Sequence, residues 1–120
     1  MLPNARAAIA YIAWRASSTS NASAVYDYSS RKYIHFSGAV TPSHVNVYDY
    51  DSRSYVSGAG HNCSYSLFHY GNANYISLRV NGDRFSGFDY GTASHFNGQV
   101  RGRSLSFYDY QTGQYYNFSL

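Results

Sequence analysis

Four aspartates at matching positions are the residues best suited to chemistry. Asp27, Asp49 and Asp109 each sit between two tyrosines, and Asp89 sits between Phe88 and Tyr90. His69 takes the same place between Phe68 and Tyr70. Regularly spaced carboxylates could ligate Ca²⁺ through oxygen, or two of them could share the acid and base work of a hydrolase. The hydrolase reading needs two acids in different surroundings. Four copies of one local sequence predict four equivalent surroundings instead. An Asp just before a tight loop has a simpler task, because its carboxylate can accept loop backbone N–H groups. Asp27, Asp49, Asp89 and Asp109 are therefore expected to be structural hairpin clamps.

No other motif supports catalysis. His35, His44, His61, His69 and His95 share no metal-ligand spacing on one element. A nucleophile elbow and a Gly-rich phosphate loop are both missing from the sequence. Cys63 is the single cysteine, so neither a disulfide framework nor a cysteine metal site can form. The expectation is a protein that is not an enzyme, with no metal and no cofactor.

The elements that position these residues come from an internal repeat. The central aromatics fall at 26, 48, 68, 88 and 108. A period of about 20 residues in β-prone sequence signals one unit copied several times. Each copy reads as a β-hairpin: an aromatic-Asp-Tyr strand, a four-residue loop, then a strand opened by Tyr33, Tyr55, Tyr75, His95 or Tyr115. The loops are read as 29–32, 51–54, 71–74, 91–94 and 111–114. They pair Tyr28 with Tyr33 and Tyr26 with His35. Side chains alternate between faces of a strand. Ile34 and Phe36, Ile76, Leu78 and Val80, and Tyr116, Phe118 and Leu120 then share a buried face with the aspartates. Asn81-Gly82 reads as a two-residue turn that pairs Val80 with Asp83 and Leu78 with Phe85.

The predicted fold class is all-β. Five tandem hairpin repeats over 25–120 form an antiparallel up-and-down barrel or a two-layer sheet. Residues 1–24 form a short N-terminal helix and a linker. Pro3 suits a first helical turn, alanines follow, and Ile9, Ile12 and Leu2 share one side. The alternative is a β-solenoid. Ser43-His-Val-Asn-Val47 resembles the Ser-x-Val-x-Val openings of curli-subunit repeats, which share the strand-turn-strand layout. Stacked rungs would set Asp27 beside Asp49 in a like-charge ladder, which favours the barrel.

Composition narrows the function classes. Charged residues make up 12% and aromatics 19%, the reverse of a disordered chain. The net charge of +3 is too small to demand nucleic acid. No apolar run reaches the roughly 18–20 residues of a membrane-spanning helix. Arg6, the apolar stretch 7–14 and Ala22-Ser23-Ala24 imitate a signal peptide, but Arg15 ends that stretch early. The compartment is not written in the sequence, although an extracellular or cell-surface site fits best.

The opposite face of the sheet is left as the place for function. Tyr26, Tyr28, Tyr33, Tyr48, Tyr50, Tyr55, Tyr70, Tyr75, Tyr90, Tyr108, Tyr110 and Tyr115 would form rows on it. Cross-strand aromatic packing explains part of this pattern. Exposed aromatic rows with Ser, Asn and Arg nearby also suit a binding platform. A non-catalytic binding or adhesion module is expected, with carbohydrate or a protein surface as the partner. The alternatives are a self-assembling structural protein that makes homo-oligomers, and a single-stranded nucleic-acid binder using Arg31, Arg53, Arg79, Arg84, Arg101 and Arg103.

Overall fold

The structure is a computed structural model that describes residues 1–18 and 21–120. Helix α1 (Pro3–Ser17) is followed by ten strands: β1 (Ala24–Asp27), β2 (Lys32–Thr41), β3 (His44–Asp49), β4 (Ser54–His61), β5 (Ser64–His69), β6 (Asn74–Asn81), β7 (Arg84–Asp89), β8 (Ser94–Arg101), β9 (Ser104–Asp109) and β10 (Gln114–Ser119). Each strand pairs antiparallel with its sequence neighbours, and β1 pairs with β10, so the sheet closes into an up-and-down barrel. That closure excludes the solenoid and the open two-layer sheet. Helix α1 sits inside the barrel, where every residue from Ala5 to Trp14 is buried.

The helix and the wall suit one another. Eight strands make a lumen that side chains alone can fill. Ten strands leave a wider space, and a helix occupies it. Ala7, Ala8, Ala10 and Ala13 keep that helix thin, while Ile9 and Ile12 fill the remaining gaps with no solvent exposure. Tyr11 stacks on Phe36 with ring centroids 4.6 Å apart. Its hydroxyl donates to the Ala22 carbonyl at 3.0 Å. Trp14 Nε1 donates to the Gly102 carbonyl at 3.1 Å. Leu2, expected beside Ile9 and Ile12, is instead exposed at the rim.

Inward positions of the wall carry Val25, Phe36, Val47, Leu67, Leu78, Phe107 and their neighbours, all buried. The face parity read from the sequence holds throughout. Glycine enters this face where a neighbouring strand approaches too closely for a side chain. A Cβ on Gly58 would lie 2.0 Å from the Ser66 carbonyl oxygen and 2.9 Å from Leu67 Cα.

The register differs from the expected pairing by two residues. Tyr26, not Tyr28, pairs with Tyr33, and Ala24 pairs with His35. Val80 pairs with Phe85, and Leu78 with Gly87. The four-residue loops therefore begin one position early, at 28, 50, 70, 90 and 110. Two causes act. The aspartate before each loop binds backbone N–H groups of the loop, which draws the following tyrosine into the turn. The fourth loop residue (Arg31, Arg53, Ala73, Ala93 or Gly113) then takes a left-handed φ of 52–66°. At the other turn, Gly82 has φ +62° and leads the loop, with Asp83 second. That is the glycine-first arrangement of a type II′ hairpin, with Asn81 as the last strand residue rather than the first of the turn.

Candidate functional site

Two regions collect the residues singled out by the sequence. The first is a girdle around the outside of the barrel. In each repeat a half-buried central aromatic is met edge-on by two others. Tyr26 meets Tyr28 and Tyr33 at centroid distances of 4.9 Å. Tyr48 meets Tyr50 and Tyr55, and Tyr108 meets Tyr110 and Tyr115, at 4.7–4.9 Å. Phe68 stands between Tyr70 and Tyr75. Phe88 stands between Tyr90 and His95. The edge-to-face geometry suits the ring quadrupoles and holds each trio rigid.

The flanking rings remain largely free. Tyr28, Tyr33, Tyr50, Tyr55, Tyr70, Tyr75, Tyr90, Tyr110 and Tyr115 expose between 51% and 69% of their surface. Polar groups lie against them. Ser37 Oγ and the Tyr50 hydroxyl are 3.1 Å apart, and Asn97 Nδ2 donates to the Tyr110 hydroxyl at 2.9 Å. These two contacts join equivalent positions in different repeats. A groove of about 640 Å³ runs beside the fourth trio, lined by Ser77, Arg79, His95, Asn97 and Tyr110 among others. Ser, Asn and Tyr facing out, with aliphatic side chains facing in, invert the pattern of a transmembrane barrel. No helix among the described residues is long and apolar enough to cross a membrane.

The second region is the barrel mouth that carries the four-residue loops. Asp27, Asp49, His69, Asp89 and Asp109 ring its inner wall, all buried. Asp27 Oδ1 accepts from Ser29 N at 2.9 Å. Asp49 Oδ1 accepts from Asp51 N and Ser52 N, at 2.9 and 3.2 Å. Asp89 Oδ1 accepts from Gly91 N at 2.8 Å, and Asp109 Oδ1 from Gln111 N at 3.0 Å. His69 takes the same role with its ring, Nδ1 accepting from Asn72 N at 3.1 Å. The neutral ring then carries its proton on Nε2. Burial pulls the His69 pKa below its ordinary value, against the opposing pull of Asp49 and Asp89. Near the other end of the barrel, burial and the neighbouring Cys63 push the Tyr65 hydroxyl well above the ordinary tyrosine range. It donates to the Thr41 carbonyl at 2.6 Å. Cys63 itself lies in the turn before β5, with φ +61°.

The helix makes the ring unequal. Its N-terminal end enters this mouth, with no acidic residue in its own first turn and no side-chain cap. Wall aspartates face the positive end of the helix dipole. The Met1 amino group donates to Asp109 Oδ2 at 2.9 Å, and also to Gln111 Oε1. Arg6 Nη1 reaches Asp109 Oδ2 at 3.3 Å while its guanidinium lies 3.7 Å from the Tyr116 ring centroid. Asp89 receives Asn74 Nδ2 at 2.9 Å. Asp49 Oδ2 and His69 Nε2 are buried with no hydrogen-bond partner among the described residues. The four aspartates thus have four different environments, contrary to the equivalence expected from the repeat. What the sequence reading missed is the helix that fills the ring and the pairing of Asn4 with Asn72. Asn4 Nδ2 donates to Asn72 Oδ1, and Asn72 Nδ2 to Asn4 Oδ1, both at 3.0 Å.

Among the described residues, no group of three or more His, Cys, Asp or Glu side chains is placed to hold a metal ion. Comparison with protein-family models, with characterised proteins and with solved structures yields no match for this chain.

Proposed function

We propose that the barrel is a non-catalytic binding module whose outer tyrosine girdle takes carbohydrate. The observation that carries this reading is the repetition of one rigid trio five times around the wall, with more than half of each flanking tyrosine at solvent. Tyrosine offers an apolar face to the C–H side of a sugar ring and a hydroxyl at its edge. Ser37, Asn97 and Arg79 supply hydrogen bonds beside those faces. Equivalent weak sites on one rigid body gain by avidity against a repetitive glycan. The fixed trios also avoid the ordering cost that weakens flexible binding surfaces.

The same girdle suits a protein surface or a second copy of the chain. Closure of the sheet, however, removes the long free edges that edge-to-edge assembly requires. A nucleic-acid reading is favoured by one observation. Arg79, Arg84, Arg101 and Arg103 are exposed on or beside neighbouring strands at the end away from the acidic mouth.

A glycan array followed by calorimetry tests the proposal. Binding to a polymeric glycan should fall about ten-fold or more on Tyr90→Ala with Tyr110→Ala, since each lost stacking contact removes about 1 kcal/mol. Both rings are exposed, so the fold should survive. An absence of glycan binding together with monomeric sedimentation would leave the carbohydrate reading without support. Oligonucleotide binding that weakens steeply with salt would replace it.

A further inference from the structure

We propose that the acidic mouth is a separate binding site for a primary ammonium group on a short aliphatic stem, either a free alkylamine or diamine or the side chain of a lysine.

The mouth holds a cavity of about 360 Å³ beside the helix N-terminus. Asp27 and Asp49 line it from the wall, and Asn4 and Asn72 line it from the helix and the third loop. Asp49 is the informative residue. It is 1% exposed, its Oδ1 is occupied by loop N–H groups, and its Oδ2 has no partner among the described residues. A buried carboxylate oxygen without a donor is unfavourable, and a charged donor satisfies it best.

The unpaired carboxylate oxygen, and not the net charge of the mouth, calls for a cation. Met1 and Arg6 both pair with Asp109, two strands from Asp27 around the ring, and together exceed its charge by one. The positive end of the helix supplies about half a charge more. With Arg31, Lys32 and Arg53 in or beside the first two loops, the cations at this mouth equal its five aspartates in number, yet among the described residues none bonds Asp49 Oδ2. Lys32 and Asp51 also line the cavity, and Lys32 Nζ is held on Asp51 at 3.0 Å rather than on Asp49. The walls decide between kinds of cation. Leu2, Pro3 and Ile34 give the cavity an apolar side, which a metal ion could not use and an alkyl stem could. Its volume also exceeds that of a single ion. An ammonium carries three N–H donors, one for Asp49 Oδ2 and the others for Asp27 or water.

Calorimetry on the intact protein at low ionic strength tests this, with n-butylammonium chloride as the probe. Saturable binding to one site is expected. Asp49→Asn should weaken it about ten-fold or more, because the acceptor for a charged donor is lost. Lys32→Gln should tighten it several-fold by removing the nearest competing positive charge. Lys32 and Asp51 are both about half exposed, so this second variant leaves the fold intact and decides the matter even where Asp49→Asn does not fold. 1,4-Diaminobutane against N-acetyl-lysine amide distinguishes a free amine from a protein lysine as the source. Unsaturable heats, equal binding of n-butanol, an unchanged affinity in folded Asp49→Asn, no gain in Lys32→Gln, or displacement by Ca²⁺ in preference to Na⁺ would each overturn the proposal. Glycan binding by the girdle is independent of all these outcomes.

Discussion

Replacing Ile9 by alanine removes three carbons from the middle of the barrel lumen, where the side chain has no solvent exposure. At about 0.8 kcal/mol for each buried CH₂, the transfer term is roughly 2.4 kcal/mol. A closed wall of ten hydrogen-bonded strands cannot collapse easily onto the space left behind, so a cavity term adds to it. Alanine is the better helix former by up to about 0.7 kcal/mol, which offsets part of the loss. The net expectation is about 3 kcal/mol, a large share of the roughly 5–15 kcal/mol that holds a domain folded. Urea unfolding followed by Trp14 fluorescence measures it well. Trp14 is the single tryptophan, lies on the same helix, and is 2% exposed, so its emission reports directly on the lumen. Far-UV circular dichroism should give the same transition, because helix and barrel form one core. The midpoint should fall with the slope unchanged. A loss below about 1 kcal/mol would refute the reasoning, since that is the size expected for an isoleucine on a helix resting outside the wall.

Two further outcomes follow from the wall. Gly58→Ala should destabilise by about 3 kcal/mol or more, because its new Cβ would meet backbone atoms that no rotamer change can move. Gly82→Ala should lose only about 1 kcal/mol, from its φ of +62°, as nothing lies within 4 Å of the added carbon. Thermal or urea melts of the two variants check the contrast, and similar losses at both sites would contradict the steric account. The second outcome concerns pH. His69 is held neutral by burial, so its folded pKa lies below the unfolded value of 6.5. The unfolded chain therefore binds the proton more readily. The stability that a neutral His69 contributes is complete above about pH 6.5 and declines as pH falls from there toward the folded pKa. His69→Asn retains an acceptor for Asn72 N but cannot titrate in this range. Its unfolding free energy should fall less than that of the native chain between neutral and mildly acidic pH, and parallel curves for the two proteins would argue against a buried neutral imidazole.

Much of the fold was legible because the strands carry a period of two with opposite chemistry on the two faces. Val45 and Val47 against Asn46 and Tyr48, or Ile76, Leu78 and Val80 against Ser77 and Arg79, allow one assignment of inside and outside. Register was not legible to the residue. It depended on whether Tyr28 ended the strand or began the turn, and the carboxylate of Asp27 decided that by binding Ser29 N. The exposed tyrosines were legible as a group for the same reason of parity, but their edge-on trios depend on that turn carrying Tyr28 back toward Tyr26. The position of the helix could have been read from its lack of a polar face. From Ala7 to Trp14 it has no charged residue, and a helix that is apolar all round must be buried. A ten-strand barrel offers one place of the right width.

The helix also breaks the symmetry that the repeat builds. Outside the barrel, five copies of one sequence produce five nearly identical aromatic trios, because each hairpin repeats the same spacing of rings. Inside, a single helix with one Met1 amine and one Arg6 cannot serve five positions alike. Asp109 takes both cations, Asp89 takes the Asn74 amide, and Asp49 is left with a free oxygen. His69 stands where a further carboxylate would face the same crowded mouth, and as a neutral ring it closes its loop without adding negative charge. Repetition therefore suits the outer wall to many equal contacts. The plugged lumen suits the mouth to one.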